Sequence, residues 1–142
     1  MTTAPVELDW LSVCSLCLRP TAHDPSARFD PTFPLCYEDM DLCLRLKRQG
    51  APILWLPRPV VVHQRGEGSR VGSGRRLRLS TISYLRFLRR HCPGWVLAIR
   101  SLRLVLKNLL MLPLRPRRSL AALMAVPTGL AWRPSGPAGG PR

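Results

Sequence analysis

Tyr37-Glu38-Asp39-Met40-Asp41-Leu42-Cys43-Leu44-Arg45 packs three carboxylates into four positions, in a chain of 142 residues with only eight acids. The acids open an apolar-periodic segment. Leu42, Cys43 and Leu46 fall on one face, Lys47 and Arg48 close it, and Gly50 follows. Acids in the first turn, bases in the last and glycine just beyond predict a helix from about Tyr37 to Arg48. Asp41 and Arg45 also stand four apart, the spacing of a helical ion pair.

Outward from this helix the pattern alternates. Leu8 to Leu18 reads as a buried strand, and residues 19–35 carry four prolines and read as a loop. Ile53 to Leu56 and Val60 to Val62 predict short strands flanking Pro57-Arg58-Pro59. Arg65 to Arg78 is rich in Gly, Ser and Arg and reads as a loop. Beyond it, Ser80 is a fair N-cap for a helix to about His91, ended by Pro93-Gly94. A second helix is expected over about Trp95 to Leu112, and a third over about Arg118 to Val126. The expected organisation is an α/β domain over residues 1–69, a basic loop at 70–79, basic amphipathic helices over 80–126 and a disordered Pro/Gly tail at 127–142.

Charge divides the chain in the same way. All eight acids lie at or before Glu67, whereas residues 68–142 hold 15 of the 22 Lys and Arg. The net charge of +14 is therefore carried by the back half, which should meet an anionic partner. Met1-Thr2-Thr3-Ala4-Pro5 does not resemble a secretory signal, and the five cysteines read as reduced thiols of a cytosolic protein. The most apolar stretch, Trp95 to Leu114, is interrupted by Arg100, Arg103, Lys107 and Pro113, so no transmembrane span is expected.

The acid cluster has two compatible readings. Acids in a first turn are favoured by the helix dipole, by a few tenths to about 1 kcal/mol each. A carboxylate held there is also a rigid general base, whose help is worth roughly 10²–10⁴ in rate. Neighbouring carboxylates raise one another's proton affinity, which suits that task.

Trp10-Leu11-Ser12, Arg19, Phe29-Asp30, Phe33, Tyr37, Glu38-Asp39-Met40-Asp41-Leu42, Gly50 and His63 follow one another in an order that resembles the acceptor half of a family 2 glycosyltransferase, rhamnosyltransferase-like and of the GT-A type. The resemblance spans about Val6 to Ser69. It implies a partial GT-A fold and an inverting enzyme that moves a sugar from a nucleotide-diphospho-sugar to a hydroxyl of a glycan or lipid-linked acceptor, as in polysaccharide and cell-wall biosynthesis. By the same resemblance Asp39 is the catalytic base, Glu38 and Asp41 hold acceptor hydroxyls or shape the helix start, and Trp10 offers a face to a sugar ring. His63 is a conditional ligand to Mn²⁺ or Mg²⁺, completed by an Asp-X-Asp of the nucleotide-binding half. That half has no counterpart in these residues, so the isolated chain is expected to lack appreciable transferase activity unless a separate chain supplies it. Val13-Cys14, Ala27-Arg28, Pro34 and Cys36 depart from the family pattern.

Cys14-Ser15-Leu16-Cys17 has zinc-knuckle spacing, but a second close pair is wanting. Arg100, Arg103 and Lys107 form one basic stripe on an apolar helix, the pattern of a segment lying on an anionic membrane surface. A peripheral location at the cytoplasmic face of the membrane follows. No nucleic-acid motif is present, and aromatic residues do not interleave with the bases. If the resemblance carries no chemistry, the alternative is a non-catalytic basic membrane-associated module.

Overall fold

The computed structural model describes residues 4–11, 16–18, 28–57, 62 and 72–133. They are mostly helical, with one two-stranded sheet. The chain divides into two compact units, Met1–Pro31 with Glu38–Ser69, and Thr32–Tyr37 with Arg70–Arg142.

In the first unit β1 (Val6–Glu7) pairs antiparallel with β2 (Leu54–Trp55), Val6 opposite Trp55. One further bond, from Leu8 N–H to the Ile53 carbonyl at 2.8 Å, extends the ladder. Helix α1 (Glu38–Arg48) has the acidic first turn and basic last turn expected of it. Its end is closed by Gly50 N–H on the Lys47 carbonyl and Ala51 N–H on the Leu46 carbonyl. These are the two bonds of a Schellman cap, and they require the left-handed backbone that Gly50 adopts at φ 85°. Leu42, Cys43 and Ile53 are buried in this unit. The strands are shorter than expected. Of Leu8–Leu18, the described residues 8–11 and 16–18 are not in a strand, nor is Val62, and residues 12–15, 60 and 61 lie outside the described residues. Apolar content without a paired neighbour does not make a strand.

The second unit is built on α2 (Ser73–His91), which packs against α3 (Gly94–Leu110), α4 (Pro116–Leu123) and α5 (Ala125–Ala131). Its inward residues Ile82, Leu85, Phe87 and Leu88 are buried, with Ala122 and Ala125 from α4 and α5. Cys92, held extended ahead of Pro93, ends α2 where expected.

Two expectations are corrected here. The loop read over 70–79 is helical from Ser73, with Arg76 N–H bonded to the Gly72 carbonyl. Gly74 weakens only the first turn, and the run Arg75 to Leu79 consists of good helix formers. The tail read from residue 127 is also helical, as far as Ala131. Pro127 reads as a breaker, but it lies in the first turn of α5, where its missing N–H costs little. That same missing N–H leaves the Leu123 carbonyl without its bond, which accounts for the break between α4 and α5.

Tertiary contact holds α5 in place. A Cβ on Gly129 would sit 2.7–2.8 Å from Leu85 Cδ1 and Cβ, so α2 and α5 approach as closely as a glycine allows. Arg89 donates to the Leu130 carbonyl, and the Arg90 guanidinium lies 5.0 Å from the Trp132 ring centroid and 5.3 Å from that of Phe33.

Candidate active site

The three acids of α1 do not share one environment. Asp41 is fully buried, and its Oδ2 accepts a bond from Arg45 Nε at 2.9 Å, the pair anticipated from their spacing. Arg45 Nη2 donates in addition to the Arg28 carbonyl at 2.6 Å. Glu38, three residues earlier, shares the face of Asp41, whereas Asp39 points about 100° away from Glu38 around the axis. Asp39 is half-buried, and its Oδ1 accepts the Met40 N–H at 2.8 Å.

Glu38 is also half-buried, and its Oε2 has no hydrogen-bond partner among the described residues. Burial pushes its carboxyl above the ordinary 4.5, its own backbone N–H opposes the shift, and the Asp39 charge adds to it. A carboxyl whose folded value exceeds its unfolded one holds its proton longer in the folded chain. Glu38 therefore costs nothing below the unfolded value and subtracts stability as pH rises through the window between the two. Glu38→Gln is expected to match the parent near pH 4 and to be modestly more stable at pH 7, as read by thermal melts. An equal difference at both pH values would contradict it.

The two residues entering α1 are held in the left-handed region, Cys36 at φ 62° and Tyr37 at φ 68°. Such conformations cost of order 1–3 kcal/mol each for residues other than glycine, and they collect at functional sites. Tyr37 is fixed by its ring, 5.6 Å from Tyr84 and 5.5 Å from Phe87 between centroids. Burial raises its phenol above the ordinary 10. Tyr84 and Phe87 carry no local signal of this role, because they lie nearly fifty residues away in sequence.

Trp10 is exposed over nearly half its surface. The preceding residue, Asp9, pairs at 2.5 Å with Lys47 in the last turn of α1. That bond holds the Asp9 carboxyl below its usual range and raises the Lys47 ammonium. Lys47 lies about 12 Å along the helix axis from Asp39, so Trp10 is tied to the far end of α1 from the proposed base.

His63 and Cys14 lie outside the described residues. Among those described, no three His, Cys, Asp or Glu side chains converge as metal ligands. Cys17, Cys36, Cys43 and Cys92 are free thiols. No helix among the described residues is long and apolar enough to cross a membrane. No family model matches the chain, and it matches neither a curated protein nor a solved structure.

Proposed function

We propose that the chain is the acceptor side of an inverting family 2 glycosyltransferase, with a GT-A-type fold completed by a nucleotide-binding half. The observation that carries this reading is the division among the α1 acids. Asp41 is buried against Arg45, while Glu38 and Asp39 keep partial exposure at a helix start entered through two left-handed residues.

Asp39 takes the proton of an acceptor hydroxyl as its oxygen bonds to the anomeric carbon of the donor. The bond from that carbon to the diphosphate breaks on the opposite side, and its electron pair leaves with the nucleotide diphosphate. Glu38, whose Oε2 has no hydrogen-bond partner among the described residues, accepts a hydrogen bond from a neighbouring acceptor hydroxyl. His63 would be one ligand to Mn²⁺ or Mg²⁺ held together with the nucleotide-binding half, where the ion would neutralise the departing diphosphate. The reaction would take place at the cytoplasmic face of the membrane, on a glycan or lipid-linked acceptor.

The test is label transfer from nucleotide-diphospho-sugars in membrane-containing extracts, which hold any separate nucleotide-binding chain. Extracts from cells with and without the gene are compared. A labelled product that disappears with the gene is expected; identical product profiles would overturn the proposal.

A further inference from the structure

The bases that the sequence lines up along α3 converge, in the structure, with bases from another element. Arg100, Arg103 and Lys107 of α3 face Arg115 and Arg118 at the start of α4 across a cavity of about 510 Å³, floored by Leu77, Thr81 and Tyr84 of α2. None of the five cationic side chains has a hydrogen bond or ion pair to any described residue. No acid in residues 68–142 can balance them, because there is none. Like charges gathered in a partly walled groove repel one another and raise the local potential, which a bound anion relieves. The N-terminus of α4 has no side-chain cap, and Arg115, Arg118 and Ser119 near that end line the same groove.

A second observation concerns the adjoining face of α3. Trp95, Ile99, Leu102, Leu106, Leu109 and Leu110 are 50–73% exposed. At about 100° per residue they fall within one arc of about 100°, and Arg103, Lys107 and Arg100 occupy the arc directly beside it. A soluble partner for the groove alone would leave this continuous apolar strip in water, and such strips mark an interaction surface. A helix about 25 Å long, apolar along one arc and cationic along its flank, fits the boundary between lipid chains and head groups.

We infer that the groove between α2, α3 and α4 binds the phosphate or diphosphate head of a membrane lipid, whose hydrocarbon lies along the exposed arc of α3. The inference is independent of the proposed transferase chemistry, since it uses none of the α1 acids. It differs from diffuse attraction to anionic membranes in requiring these five positions.

Flotation of the full chain with phosphatidylcholine vesicles, with and without phosphatidic acid, tests it. Three variants are compared with the parent. Arg100→Gln/Arg103→Gln/Arg118→Gln empties the groove of three charges. Arg75→Gln/Arg76→Gln/Arg78→Gln removes the same charge from exposed positions of α2 outside it. Leu102→Ser/Leu106→Ser interrupts the apolar arc. All the positions are exposed, so the melts of the variants should stay close to that of the parent. The expected result is binding that depends on phosphatidic acid, falls about 10²-fold in the groove variant and falls less than about threefold in the α2 variant. The arc variant should lose vesicle binding while keeping inorganic diphosphate, measured by calorimetry.

Equal losses in the two arginine variants would reduce the effect to net charge and overturn the site. Parent protein that binds diphosphate but no vesicle would assign the groove to a free phosphate compound. Tighter binding to a mixed-sequence oligonucleotide than to vesicles at 0.15 M salt would assign it to nucleic acid. Either result overturns the lipid.

Discussion

Asp39→Asn is expected to lower sugar transfer by about 10²–10⁴-fold, the range of general-base assistance, with little change in stability. The substitution keeps the shape of the side chain. Its carbonyl oxygen can accept the Met40 N–H bond that Asp39 Oδ1 accepts at 2.8 Å, so the first turn of α1 keeps its local hydrogen bonding. What is lost is the capacity to take a proton as the acceptor oxygen attacks. Because that loss is felt only in the transition state, kcat should fall and acceptor KM should barely move. Glu38→Gln is the discriminating companion. If Asp39 is the base, removing the Glu38 charge costs much less than removing that of Asp39. The reverse order, with Asp39→Asn near parental activity, would move the base to Glu38.

Arg45→Met is expected to cost about 3–5 kcal/mol, because it removes the guanidinium that pairs with the buried Asp41 carboxylate. Asp41 has no exposed surface, and Arg45 reaches both its carboxylate and the Arg28 carbonyl. Against a typical stability of about 5–15 kcal/mol, such a loss removes much of the margin of folding. The measurement is urea unfolding of the parent, both single variants and the double variant, with Asp41→Asn as the partner change. In the Asp41→Asn background Arg45→Met should cost far less, since no buried charge is stranded. Additive costs would mean that the pair is not coupled and that burial of Asp41 is satisfied elsewhere.

Helix α1 was legible in the sequence to within a residue at each end. Its signals are local: acids placed on the positive end of the helix, bases on the negative end, and a glycine able to adopt φ 85° at the cap. The pairing of Asp41 with Arg45 was legible for the same reason, since four residues is one turn. That Asp41 would be the fully buried acid, and Glu38 and Asp39 the partly exposed ones, was not. Side-chain burial depends on what packs over the helix, and spacing along a helix does not specify it.

The boundaries of α2 and α5 show the limit from another side. Gly72, Ser73 and Gly74 read as loop, and Pro127 and Gly129 read as tail, because each is a poor helix former judged alone. In the structure Gly129 is what lets α5 reach Leu85, so a residue unfavourable to an isolated helix is required by the packing of two. Propensities here amount to about 1 kcal/mol for a glycine, and burial of a leucine contributes more.

The sequence by itself determined the charge asymmetry, the acidic start and glycine stop of α1, the helical character of the back half and the basic stripe on α3. These follow from composition and from contacts within a turn or two. The tertiary structure alone decided which acid is buried, how far α2 and α5 extend, and that Arg115 and Arg118 close a groove with the stripe on α3. Those depend on residues brought together from distant parts of the chain by apolar burial, which acts without regard to sequence separation.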